Sequence, residues 1–201
     1  GGKHPRRDVY YNYIETYAGG QGAMLDQDGM DAIQNHMTNT RNAPVEAIEA
    51  AYPLRVQRYG LIADSEGAGE HRGGMGLRRE LRVGENPVRL TLSSDRVKVS
   101  PWGLFGGLPS RASLCEVASP DGGANRLPSK VTTDVGAEHV ILTETPGGGG
   151  WGDPKRRDQD AVLRDVVAGL VSRERARDVY GVALTDGLAV DEEGTRELRA
   201  P

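Results

Sequence analysis

An α+β fold, with a β-rich antiparallel sheet or barrel flanked by short helices, is predicted by three features of this 201-residue sequence. Between residues 54 and 146, short runs of alternating apolar and polar residues are separated by Gly, Pro, Asn and Asp turn signals at the spacing of antiparallel strands. After Asp158 the period changes, and Val162, Leu163, Val166, Val167 and Leu170 recur at helical spacing. The 28 glycines, well above the usual share of roughly 7%, fall in clusters such as G-G-Q-G, G-G-M-G and P-G-G-G-G-W-G. Clusters of that kind read as tight turns rather than as a low-complexity tail.

Taken in order, the chain divides into a polar segment with short helices (1–53), a β-rich unit with glycine-rich loops (54–157) and a helical segment with a tail (158–201). Val9 to Tyr17 is aromatic and β-branched and ends at a glycine cluster, which predicts a strand running into a loop. Met30, Ile33 and Met37 share one face of a short helical turn over Asp28–Met37. Pro44 suits the first position of a helix that Pro53 closes, with Glu46 near the positive end of its dipole. In the strand that follows, Leu54 and Val56 alternate and Tyr59 and Leu61 alternate one residue out of phase, which predicts a bulge near Arg58. Leu77, Leu81 and Val83 mark one face of a second strand, with Arg78, Glu80 and Arg82 on the other. Val88–Leu92 is a third strand; Leu114–Val117, Lys130–Val135 and Val140–Thr145 are shorter ones. Asp158 and Ser172 are placed to cap two helices, the second ending at Gly181. From Leu184 onward, turn signals are expected around at most two weak strands, with a frayed end.

A net charge of -4 with both signs interspersed leaves no Lys/Arg run able to track a phosphate backbone, which argues against nucleic acid as a partner. No apolar run approaches the roughly 18 residues of a membrane span, and no signal-peptide core follows the start. The single Cys115 cannot form an internal disulfide and reads as a small core residue. Together these features favour the cytosol. The start at Gly1 without Met is the start expected of a processed product or a fragment.

Asn35–Glu49 carries the densest chemistry. It holds two amides (Asn35, Asn39), the imidazole of His36, two hydroxyls, the Arg41 guanidinium and the carboxylates of Glu46 and Glu49. Asn and Thr compete with the backbone for hydrogen bonds, so such a stretch predicts a partly buried polar network lining or bracing a site. Arg41 could grip a carboxylate or carbonyl, Asn39 could meet a cyclic amide, and His36 could move a proton near neutral pH. The plainer reading pairs Arg41 with Glu46 or Glu49. Pro146–Pro154 could form an anion nest but lacks the P-loop pattern, and reads better as a close-packed turn. Glu66, Glu70 and His71 lie on a glycine loop without metal-ligand spacing, and no G-x-S-x-G elbow occurs.

Four strings stand in order: His36-Met37-Thr38-Asn39-Thr40-Arg41-x-x-Pro44-Val45-Glu46, Tyr52-Pro53-Leu54, Gly67-x-Gly69-x-x-Arg72-Gly73-Gly74-x-Gly76-x-x-Arg79-Glu80, and Thr145 through Gly152. With Ser94-Asp95-Arg96 and Pro101–Gly107, they closely resemble the C-terminal part of the hydantoinase B / 5-oxoprolinase family, over nearly the whole chain. The Arg41–Glu46 string is similar to the N-methylhydantoinase B branch. This resemblance implies the C-terminal portion of the B-type subunit of an ATP-dependent amidohydrolase. Such a subunit opens a cyclic amide after an A-type ATPase partner, which binds ATP, phosphorylates the carbonyl oxygen. It equally admits the corresponding part of an acetone or acetophenone carboxylase; a non-catalytic assembly module is the third reading. A divalent metal (Zn, Mn or Mg) is implied for the N-terminal half of the family's longer subunits, so no residue here takes a ligand role. By the same resemblance His36 and Glu46 are candidate catalytic residues, with Asn39 and Arg41 orienting substrate.

Overall fold

A computed structural model of the chain describes residues 1–35 and 37–200. Strands β1 (Gly2–Lys3) and β2 (Tyr10–Tyr11) precede helix α1 (Val45–Ala51). There follow β3 (Leu54–Leu61), β4 (Leu77–Val83), β5 (Val88–Ser93), β6 (Leu114–Ala118), β7 (Ala124–Arg126), β8 (Lys130–Val135) and β9 (Val140–Glu144). Helices α2 (Gln159–Val167), α3 (Arg173–Asp178) and α4 (Glu192–Arg199) come last. The strands form two antiparallel sheets, β3-β4-β9-β6-β7 and β2-β1-β5-β8. The β-rich fold with flanking helices is therefore present, divided over two sheets. The turn around Gly84–Pro87 carries the chain from one sheet to the other, and their facing apolar sides meet. Leu81, Val83 and Ile141 from one sheet bury against Val88 and Val135 from the other.

Local signals explain most elements. The β3–β4 register slips between Val56 and Arg58, where the apolar alternation of the sequence changes phase. Asp158 caps α2 by accepting from the Asp160 and Ala161 N–H groups, and the Ser172 hydroxyl caps α3 by accepting from Arg175 N–H. Pro44 stands at the N-cap of α1 rather than inside it, and Ile48 is the helix's one buried side chain. Three expectations need correction. The tail forms helix α4, because Asp191 accepts from Gly194 N–H and so caps a turn that Glu192 and Glu193 favour electrostatically. The described residues of Asp28–Met37 make isolated turns, at 31–32 and again at 37–38, and no helix, since Asp31 Oδ1 spends its acceptor capacity on Met75 N–H and Arg72. The N-terminal strand enters a ladder only at Tyr10–Tyr11, yet its alternation persists: Tyr11, Tyr13, Glu15 and Tyr17 turn inward while Asn12, Ile14 and Thr16 are exposed.

The glycines do more than turn the chain. Segment 146–150 forms no ladder, yet its backbone bonds to four other stretches: Gly20 and Ala23, Gly67, Gly74, and Leu104 with Leu108, at 2.8–3.1 Å. A β-strand has hydrogen-bonded neighbours on two sides only. Bonding in more directions demands backbones close enough that a side chain has no room, as at the axis of the collagen triple helix. A Cβ on Gly148 would stand 1.8 Å from the Gln21 carbonyl oxygen, and one on Gly73 would stand 1.9 Å from the Gly148 oxygen. Against this bundle the C-terminal helices pack a second core, in which Ala68 and Met75 meet Val162, Val171, Ala176 and Tyr180. No helix among the described residues is long and apolar enough to cross a membrane.

Candidate functional site

Most described residues of the polar segment 35–49 are exposed, and the segment is held at a few points. Asn42 Nδ2 donates to the Thr16 carbonyl at 2.9 Å, and Tyr59 OH donates to Asn42 Oδ1 at 3.2 Å. The Ala43 N–H donates to Glu15 Oε1, and Glu49 Oε1 accepts from Val56 N–H, each at 2.9 Å. Asn39, Arg41 and Glu46 are exposed; Asn39 takes a positive φ of 33° and its N–H donates to the Asn35 carbonyl at 2.7 Å. The partly buried network expected here is thus replaced by an exposed segment moored through Asn42, Ala43 and Glu49. Among the described residues, Arg41 pairs with neither Glu46 nor Glu49. His36 lies outside the described residues.

Beneath the mooring is a cluster that sequence reasoning missed. Arg79 falls on the apolar face of β4, in phase with Leu77 and Leu81, and its side chain is completely buried. Its Nη1 lies 3.0 Å from Glu15 Oε2, and its Cζ stands 4.4 Å over the Tyr59 ring and 5.3 Å from that of Tyr17. The guanidinium has no well-aligned hydrogen-bond acceptor among the described residues, so one carboxylate and two aromatic faces offset its desolvation. Glu15 also accepts from Tyr13 OH, and burial pushes the Tyr17 phenol up to about 12. The same carboxylate that neutralises Arg79 therefore holds the Ala43 end of the polar segment. The signal available in the sequence was a cation at an in-phase apolar position.

A second cluster joins distant parts of the chain. Arg157 grips Asp28 bidentately, both bonds at 2.6 Å, and reaches Asp165 Oδ2 at 2.9 Å. Asp165 Oδ1 in turn accepts from Arg72 Nε at 3.1 Å, and Arg72 Nη1 donates to Asp31 at 2.9 Å. The result is an alternating row of five charges, Asp28–Arg157–Asp165–Arg72–Asp31, fixed further by the Arg72 N–H donating to Asp28 Oδ1 at 2.8 Å. One end borders a cleft of about 480 Å³ lined by Asp28, Glu70, His71, Arg156 and Arg164. With each guanidinium held between two carboxylates, the row is a brace. A similar clamp holds α3: buried Glu66 accepts from Arg175 Nε at 2.6 Å and Tyr180 OH at 3.0 Å, and burial still pushes its carboxyl up.

Burial alone would raise Asp28, but the hydrogen bonds and charge of Arg157, with the Arg72 N–H, outweigh it and hold the carboxyl below its usual range. A carboxyl depressed in the folded state contributes stability that is present above its unfolded pKa of about 4 and is lost as pH falls through the folded value. Melting followed by circular dichroism is expected to show this loss below about pH 4. Asp28→Asn should lower stability at neutral pH and flatten that acid limb; an unchanged limb would refute the assignment.

Among the described residues, no three His, Cys, Asp or Glu side chains converge as a metal would require. Cys115 is buried, and burial raises its thiol and so disfavours the thiolate form.

The family model for hydantoinase B/oxoprolinase matches residues 1–154. The putative D-/L-hydantoinase B-type subunit of Pseudomonas sp. (strain NS671) is 36% identical over 194 residues, which cover 94% of this chain and 32% of that protein. The crystal structure of the ATP-dependent caprolactamase from Pseudomonas jessenii superposes with a TM-score of 0.78 at 29% identity, over 92% of this chain and 33% of the other. The nucleotide-free structure of an acetone carboxylase gives the same TM-score of 0.78 at 26% identity, covering 90% and 29%. The chain thus spans about a third of the length of the relatives it matches. The two sheets, the glycine bundle and the polar segment fall within residues 1–154, and the chain belongs to the hydantoinase B/oxoprolinase family.

Proposed function

We propose that this chain is one part of the B-type subunit of a cytosolic, ATP-dependent amidohydrolase that opens a cyclic amide. The observation that carries this reading is the match to a hydantoinase B-type subunit along 94% of the chain. The fold of an ATP-dependent caprolactamase supports it. An amide carbonyl is a poor electrophile, and phosphorylating its oxygen on an A-type ATPase partner makes the carbon open to attack and supplies a leaving group. The task left to the B-type polypeptide is to hold the activated ring and to move protons. Arg41 and Asn39 fit the first task, because a guanidinium and an amide exposed on one moored segment can orient a carbonyl or carboxylate. His36 and Glu46 are assigned the proton transfers. A divalent metal is assigned to the remaining part of the B-type polypeptide, and no step is derived through it.

The test is Arg41→Ala in the complete complex. Loss of a positioning contact is expected to lower kcat/KM by about 10²-fold while assembly and melting stay unchanged. If turnover survives and assembly fails, the segment is a docking element and the catalytic assignment is wrong. The equal TM-score of the acetone carboxylase keeps one other reading in view, that of a ketone carboxylase part. Product analysis of the purified complex with a cyclic amide, and separately with a ketone plus bicarbonate, separates the two.

A further inference from the structure

The chain has one Phe and two Trp residues, and it leaves the Phe and one of the Trp residues exposed. Phe105 is 79% exposed and Trp102 61%, with Leu104 at 50% and Leu108 at 39% beside them. Apolar patches of this kind mark interaction sites. The ridge is rigid despite its exposure. Leu104 N–H donates to the Gly150 carbonyl at 2.9 Å, Leu108 N–H to that of Ala68 at 2.7 Å, and Gly107 N–H back to Leu104 at 2.9 Å. Phe105, at the tip, is held at a φ of 52°, a region that L residues rarely adopt, with its ring 5.6 Å from that of Trp151. Arg96 lies 5.0 Å over Trp102, so the ridge combines the residue types that dominate binding hot spots.

The surface of the whole chain points the same way. A self-contained monomer of 21.6 kDa exposes about 9,200 Å². This chain exposes 11363 Å². The excess, on the order of 2,000 Å², is the area that one side of a large obligate interface contributes.

We infer that the Trp102–Leu108 ridge docks the remaining two thirds of a B-type polypeptide, through an apolar groove on that polypeptide that receives Phe105 and Trp102. The relatives supply the reason for choosing this occupant over a second copy: in them the matched third belongs to a chain about three times as long. The inference rests on the B-type reading, and the experiment separates the two. This chain is co-expressed with the part of the Pseudomonas sp. (strain NS671) hydantoinase B-type polypeptide that lies outside the matched third, and the native matched third serves as control. A 1:1 complex is expected in size-exclusion chromatography with light scattering. The double variant Trp102→Ser, Phe105→Asp should weaken it at least tenfold with an unchanged melting curve, whereas Tyr10→Ser, at another exposed aromatic, should leave it intact. Binding that the double variant does not weaken overturns the docking inference and leaves the B-type reading standing. A dimer of this chain that the double variant abolishes overturns it in favour of a second copy. Failure of this chain to bind where the native third binds overturns both.

Discussion

Gly148→Ala is expected to leave the chain unable to hold its native structure, at a cost of more than about 4 kcal/mol. The added methyl would stand 1.8 Å from the Gln21 oxygen, 2.2 Å from its carbonyl carbon and 2.6 Å from the Gly22 nitrogen. All three are backbone atoms, so no rotamer change relieves the clash. The segments must separate, and each separation breaks further bonds: Gly67 N–H to the Gly148 oxygen, and Gly148 N–H to the Gly74 oxygen. Buried backbone groups left without partners cost about 1–3 kcal/mol each, which is why the penalty exceeds ordinary overpacking. Gly60→Ala is the control, because nothing lies within 4 Å of the Cβ it would add. Circular dichroism and thermal melting should show Gly60→Ala within about 0.5 kcal/mol of the parent. A cooperatively melting Gly148→Ala protein with a parental Tm would show that the bundle yields easily, and the account of close packing would be wrong.

Asp165→Ala should be the next most damaging change. Asp165 is the centre of the charge row, serving Arg157 on one oxygen and Arg72 on the other, and all three side chains are at most 10% exposed. Its removal leaves two buried guanidinium groups short of an acceptor, a situation that costs about 3–5 kcal/mol. For a chain of this length that corresponds to a Tm lowered by roughly 10 °C. The exposed pair Arg89–Asp134 has similar geometry, with a bond of 2.9 Å, but its side chains are 69% and 70% exposed. Asp134→Ala should therefore leave Tm unchanged, because water screens and replaces such a contact. Equal effects from the two substitutions would refute the idea that burial gives the row its strength.

What the sequence disclosed follows from how local each signal is. The slip of register in β3, the alternation along β4 and the caps at Asp158 and Ser172 each depend on residues within a few positions of one another, and all are visible along the chain. The α4 cap was equally local, but Asp191-Glu192-Glu193-Gly194 suits a turn as well as a helix start, and only the docking of Thr195 against Ala183 decides between them. The charge row joins residues 93 and 129 positions apart, so nothing in the composition of either neighbourhood announces it. Arg79 was hidden by the rule that cations face water. The density of polar groups in 35–49 did not report burial, since Ile48 is the one buried side chain of α1 and the segment is otherwise moored by a few hydrogen bonds. The glycines were recognised as structural, yet their reason is the closeness of several backbones and not the reversal of one.

That closeness bears on the order in which the molecule can be made. The final segment of the bundle, 146–150, accepts or donates bonds from stretches as early as residue 20, and the Thr145 hydroxyl bonds the carbonyl of Ala18, 127 positions upstream. During synthesis the groups of the earlier stretches that bond segment 146–150 wait in water until that segment has left the ribosome, and only then does the last piece thread into place. Completion of the glycine bundle is thus a late event, and a nascent chain halted before Pro146 lacks the bundle's central segment even though the residues of the inter-sheet core, Leu81 to Ile141, are already made.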